Sequence, residues 1–117
     1  MIYVSGRVDV DNFEHFRSQF EGAKEYLISG GNNGSAIYDG DKNVITIFET
    51  LDIMSATRYD GYVDAISMSE EVDIRLDYVR GCDILYLLLG WESDDMCRLE
   101  QTYAKAKGKR VIYSKKF

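Results

Sequence analysis

Glu100 is the side chain of this sequence whose type and spacing could most readily do chemistry. It lies in the second turn of a helix that follows Gly90-Trp91-Glu92-Ser93 and stops at Gly108, beside Met96, Tyr103 and Ala104. That spacing turns it partly toward the apolar side, where a carboxylate is desolvated and its pKa is raised or held in check by a hydrogen bond. Such a group can act as a nucleophile or in acid–base work. The plainer alternative is a solvated glutamate on a helix surface, which is common.

Other candidates cluster in loops that follow strand-like runs. Ser5-Gly6-Arg7 ends the first run, a second loop follows Phe48, and Gly90-Trp91-Glu92-Ser93-Asp94 follows the third. Trp91 suits either base stacking or anchoring of its loop, and Arg7 either an anion contact or plain solvation. Tyr3, within the first run, is either core or part of a site. Asp94 and Asp95 occupy the start of the last helix, where they cap it and repel a phosphate. Ser93 and Met96 flank them.

Metal and thiol chemistry find little support. His15 is the single histidine, and Cys82 and Cys97 lack metal-ligand spacing. A Ser-His-Asp or Cys-His system would need His15, which sits among phenylalanines. Asp9/Asp11 and Asp94/Asp95 could chelate Mg²⁺, but capping explains them more simply. No metal and no cofactor are expected, and both cysteines read as reduced, buried thiols.

The elements that must hold these residues follow from periodicity. Ile2-Tyr3-Val4-Ser5 reads as a strand ended by Gly6. Asp11 and Glu14 form a capping box ahead of a helix whose face is Phe13, Phe16, Phe20, Ala23 and Leu27, stopped by Gly30-Gly31. Ala36-Ile37-Tyr38 and Val44–Phe48 are strand-like around the turn Asp39-Gly40-Asp41, either as a hairpin or with only the second run in the main sheet. Residues 51–67 suggest a short helix and a mobile loop. Glu70 and Glu71 open a helix with Val72, Leu76 and Val79 on one face, ended by Gly81. The apolar run Ile84–Leu89 reads as a central parallel strand covered on both faces. Met96, Leu99, Tyr103 and Ala104 line the next helix, and Arg110–Tyr113 closes the sheet. The fold class is α/β: a Rossmann-like, flavodoxin-like, mostly parallel sheet of four to five strands flanked by helices, in one domain spanning 1–117.

Bulk properties narrow the partners. Hydrophobic residues make up 45% and charged residues 29%, as in a folded globule. No apolar run nears the roughly 20 residues needed to span a bilayer, and no leader is visible, so a cytoplasmic protein is expected. The formal net charge of −6 argues against nucleic acid and anionic membranes. The basic residues Lys105, Lys107, Lys109, Arg110, Lys115 and Lys116 crowd the last stretch, as a solvated surface or as a patch for phosphate or a partner.

Two segments carry a family resemblance. Met1-Ile2-Tyr3-Val4-Ser5-Gly6 followed by a helix resembles the opening of nucleoside 2-deoxyribosyltransferase-like proteins. Cys82-Asp83-Ile84-Leu85-Tyr86-Leu87-Leu88-Leu89-Gly90-Trp91-Glu92, then Arg98-Leu99-Glu100, Ala104, Gly108-Lys109 and Val111, is similar to their C-terminal signature. The likeness is greatest to small, largely uncharacterised domains common in bacteria and phages.

The resemblance implies an enzyme acting on N-glycosidic bonds of nucleosides or nucleotides, as hydrolase or transferase, with Glu100 as nucleophile and Tyr3 or Asp83 positioning it. It also implies a homodimer, and a small-molecule nucleoside or nucleotide bound by the Ser5–Arg7 and Gly90–Asp94 loops and Met96. Relatives carry proline where this chain has Arg7 and Leu89, a Ser and a Gly where it has Asp94 and Met96, and an acidic residue where it has Arg75. The Asp94 and Met96 departures disfavour a 5′-phosphate at that spot. The alternative is a catalytically silent binding module, of a kind that phages also encode, that captures a nucleotide-derived signal or a host protein.

Overall fold

A computed structural model describes residues 1–8, 13–29, 43–50 and 68–117. Four strands lie in one parallel sheet: β1 (Ile2–Ser5), β2 (Val44–Thr46), β3 (Ile84–Leu87) and β4 (Arg110–Tyr113). Their order is β2-β1-β3-β4. Tyr3 is in register with Ile45 on one side and Leu85 on the other, and Leu85 with Val111. The chain passes from β1 to β2 on one side and then crosses back to β3 and β4 on the other, so the switch in strand order falls between β1 and β3. Ligand crevices of open α/β sheets form there, beyond the carboxyl ends of the strands.

Side-chain alternation divides β1 between two layers. Ile2 and Val4 face one way; Tyr3 and Ser5 face the other, beside their register partners Leu85 and Leu87. The first face is covered by α1 (Phe13–Ile28). Phe20, Ala23 and Leu27 of α1 are buried, and Phe20 stacks on Phe48 with ring centroids 5.5 Å apart. The second face is covered by α2 (Met68–Gly81) and α3 (Asp95–Ala106). Gly6 brings the chain out of β1 through a tight place, because an added Cβ there would lie 3.0 Å from Leu88 Cβ and 3.2 Å from Phe20 Cζ.

Several expectations need correction. The run at Val44–Phe48 is a strand only to Thr46, and residues 47–50 are helical. Thr46 Oγ1 accepts from the Glu49 N–H at 3.0 Å, a capping contact that turns the backbone into a helix. The run joins the main sheet, parallel to β1. The strand within Ile84–Leu89 ends at Leu87; Leu88 is still buried, and Leu89 sits in a turn at 52% exposure. Gly90 completes that turn at φ 92°, a left-handed geometry that suits glycine.

Helix faces differ too. Among the described side chains of α2 the buried ones are Arg75 and Val79, with Val72 and Leu76 only half-buried. In α3 they are Cys97, Glu100 and Ala104, whereas Leu99 is 42% exposed. An apolar-period reading places Arg and Glu outside by default, and here each lets the other come in. The Gly108 stop is as expected: Lys109 N–H bonds Ala104 O at 2.9 Å and Gly108 N–H bonds Lys105 O at 3.1 Å, a Schellman ending with Gly108 at φ 70°. Asp11, Gly30-Gly31, Ala36–Asp41 and 51–67 lie outside the described residues. No described helix is long and apolar enough to cross a membrane.

The end of β3 is testable. Leu87→Ala should cost about 2–5 kcal/mol, read as a lower urea midpoint at unchanged slope. Leu89→Ala should stay within about 0.5 kcal/mol of wild type. Equal losses would show that the strand and its buried layer continue to Leu89.

Candidate functional site

Three elements meet at Glu100. Strand β1 supplies Tyr3 and Ser5, two residues apart and therefore on one face. Helix α2 supplies Arg75, with Glu71 one turn before it and Tyr78 one turn after. Helix α3 supplies Glu100 itself. Tyr3, Ser5 and Glu100 are fully buried, and Arg75 is 2% exposed.

The hydrogen bonds form one connected network. Tyr3 Oη donates a short hydrogen bond to Glu100 Oε2. Ser5 Oγ donates to Glu100 Oε1 at 2.5 Å and accepts from Arg75 Nη1 at 3.0 Å. Arg75 Nη1 also meets Glu100 Oε1 at 2.8 Å. The other edge of the guanidinium holds Glu71 Oε1, through Nε at 3.0 Å and Nη2 at 2.9 Å. Tyr78 stacks on the Tyr3 ring at 5.4 Å and accepts from Thr50 Oγ1 at 3.1 Å.

Electrostatics fix the roles. Burial, then the Glu100 charge, push the Tyr3 phenol well above its ordinary value, so it stays protonated and is the donor. Arg75 is held more firmly protonated than usual: Glu100 and Glu71 outweigh the cost of its burial. Burial pushes the Glu100 carboxyl up, while Arg75 and the hydroxyls of Ser5 and Tyr3 pull it back; the net direction is up. The Cys97 thiol is pushed up by burial and by Glu100, which leaves it a poor nucleophile. Among the described residues no cluster of three or more His, Cys, Asp or Glu side chains could hold a metal ion.

Residues 1–113 match the family model described as Domain of unknown function (DUF4406). The chain belongs to that family. Neither the curated proteins nor the solved structures searched gave a match.

Within this DUF4406 domain, the structure brings together Glu100, Tyr3 and Ser5 of the expected site residues, and it places Asp83 elsewhere. Asp83 precedes β3 at the amino end of the sheet, is exposed, and bonds the Met1 amino group at 2.6 Å. That contact holds its carboxyl below its ordinary value. Gly6 is buried and Arg7 is exposed, both at the carboxyl end of β1. Gly90 leads into a 3₁₀ turn, Trp91–Ser93, in which the Trp91 ring packs on Tyr113 at 5.2 Å. Glu92 lends its carbonyl to Arg98 at 3.1 Å, and Ser93 Oγ donates to Gly90 O at 2.9 Å. Asp94 caps α3 by accepting from Cys97 N at 3.0 Å. Met96 is half-buried on the first turn of α3. A surface groove of about 580 Å³, lined by Gly22, Tyr26, Lys116 and Phe117 among others, lies on α1, across the sheet from Glu100.

Arg75 is the site residue that motif reading passes over, since it stands where the proteins this sequence resembles have an acid. A signal was present: Arg75 and Val79 are four apart, as are Glu71 and Arg75, so a cation sits in the buried stripe of α2. A buried arginine requires an anion, and Glu100 is that anion.

Removing the Tyr3 hydroxyl tests the network. Tyr3→Phe leaves Glu100 Oε2 without its donor and should cost about 1–3 kcal/mol at pH 7. It also raises the folded-state pKa of Glu100 further. The native state then binds a proton that the unfolded chain has released above its carboxyl value near 4.3, so stability falls as pH rises. The penalty measured by urea unfolding should thus be larger at pH 8 than at pH 5. A Tyr78→Phe control should show a smaller loss with no such slope.

Proposed function

We propose that this domain binds a nucleoside beyond the strand ends of β1 and β3 and acts on its N-glycosidic bond, with Glu100 as nucleophile. The observation that carries the reading is the meeting of Tyr3, Ser5 and Glu100 on the strand beside the switch point. A carboxylate oxygen bonds to C1′ as the C1′–N bond breaks, and the bonding pair leaves on the base nitrogen. Water then delivers its hydroxyl to C1′, which frees the carboxylate, and its proton goes to the base. Tyr3 stays protonated throughout and holds the carboxylate in place. Glu100 has no exposed surface, so a nucleoside reaches it only when a covering group moves. With Asp94 committed to the α3 cap, the first turn of that helix favours a sugar without a 5′-phosphate.

Arg75 supports a second reading. An interior ion pair that also engages Ser5 suits a binding module without turnover, one that captures a nucleotide-derived signal or a host protein while the network serves the fold.

One assay separates the two. Wild type and Glu100→Gln are incubated with nucleosides, deoxynucleotides, NAD and cyclic dinucleotides, and products are followed by mass spectrometry. Free base should appear with wild type and fall below about one-thousandth of that rate in the folded variant. An equal rate in the variant removes Glu100 as nucleophile. No release by wild type, combined with a ligand-induced rise in melting temperature, favours the binding module.

A further inference from the structure

Arg75 has no part in the bond-breaking step just described, yet it makes the most contacts in the site. Its guanidinium is gripped from both sides. Nε and Nη2 close on Glu71 Oε1 at 3.0 and 2.9 Å, and Nη1 reaches Glu100 Oε1 at 2.8 Å and Ser5 Oγ at 3.0 Å. A planar fork held along both edges has little freedom to rotate, which a lysine ammonium could not reproduce.

The two oxygens of Glu100 are therefore unequal. Oε1 receives two donors, Ser5 Oγ and Arg75 Nη1. Oε2 receives Tyr3. A carboxylate oxygen has about two lone-pair sites, so among the described residues Oε1 is filled and Oε2 keeps one. We propose that Arg75 is the positioning residue for Glu100: together with Ser5 it occupies Oε1 and so presents Oε2 as the oxygen that forms the bond to C1′. The assignment rests on the glycosidic reading above and deepens it.

The groups around the carboxylate make the consequence readable. Strand β1 contributes Tyr3 and Ser5, α2 contributes Arg75 with Glu71 behind it, and α3 contributes Cys97 with Asp94 behind it. Strand β3 presents Leu85 and Leu87 on this face. Tyr3 and Cys97 both stay protonated through the neutral range. Loss of Arg75 thus acts on Glu100 in two ways: it removes the charge that favours the anion, and it frees Oε1 to rotate.

The test follows Glu100 directly and turnover separately. Protein carrying ¹³C-carboxyl glutamate is titrated by NMR, with the Glu100 signal assigned from Glu100→Gln. Wild type, Arg75→Met and Arg75→Lys are compared. In Arg75→Met, Glu100 should protonate at higher pH, kcat should fall about 100-fold with KM within about twofold, and the acid limb of kcat/KM should move with the NMR titration. Arg75→Lys should return the titration toward wild type but recover little of kcat, because an ammonium cannot bridge both carboxylates. It also serves as the reporter if Arg75→Met does not fold. An unmoved Glu100 titration, or wild-type kcat in a folded Arg75→Met, overturns the proposal. If wild type turns over no nucleoside, the glycosidic reading fails first. A titration that moves with Arg75 then still supports its hold on Oε1, and one that does not overturns it.

Discussion

A buried guanidinium set against a buried carboxylate is the constraint from which the rest of this domain follows. Arg75 and Glu100 lie in the layer between the sheet and two helices, and neither charge is tolerable there alone. Their pairing fixes the rotation of α2 and of α3 together, since turning either helix by one position would strand a charge in the core. It also dictates the residues beneath. Ser5 must carry a hydroxyl to relay between guanidinium and carboxylate, and Tyr3 must reach Oε2. Pairs of this kind stabilise little relative to an apolar core, yet removing one member is costly, about 3–5 kcal/mol. The network therefore specifies one packing of the two helices more than it adds stability.

Much of this was legible in the residues. Strands β1 and β4, the Gly108 stop and the Asp94 cap follow from apolar period and cap chemistry, whereas spacing turns Glu100 only partly inward and leaves a solvated helix surface as the plainer alternative. What escaped is explained by the same physics. Thr46 pulls the chain into a helix through a side-chain cap, so the apolar run up to Phe48 outlasts its strand. Leu89 looks like a continuation of β3 but falls in the Gly90 turn. The spacing of Glu71, Arg75 and Val79 hints at Arg75 in the interior, but its partner Glu100 lies 25 positions away, and pairing across elements leaves no periodic trace. The resemblance to nucleoside 2-deoxyribosyltransferase-like proteins marked position 75 as a departure, though not its consequence.

Position 75 separates two kinds of site. With an acidic group there, a nucleophilic glutamate would gain a like-charged neighbour, which raises its pKa and leaves it free of ion pairing. With arginine, the ionised state is favoured and one oxygen is held. Holding is a benefit to a reaction only if the second oxygen is available, because a fully satisfied carboxylate is a weak nucleophile. On the proposed glycosidic reading, the unequal occupancy of Oε1 and Oε2 is consequently the feature on which activity would turn. Tyr3 is the group that touches Oε2, and its ring is in turn held by Tyr78.

Charge at the strand ends bears on what a site there could admit. A helix N-terminus attracts anions through its free N–H groups, but in α3 the Asp94 carboxylate already takes the Cys97 N–H, and Asp95 follows it on the first turn. An incoming phosphate would meet the Asp94 carboxylate and the Asp95–Arg98 ion pair, where the proteins this sequence resembles offer Ser and Gly. The cation nearest the carboxylate is Arg75, and both edges of its guanidinium are committed to protein oxygens. On the proposed nucleoside reading, selection would fall on an uncharged sugar with an aromatic base, for which the half-buried face of Trp91, packed against Tyr113 at the carboxyl ends of β3 and β4, is the chemically matched surface. On that reading an acidic rim and an interior cation are complementary parts of one design: the rim disfavours phosphate, and the cation counters the cost of burying the carboxylate without offering itself to a ligand.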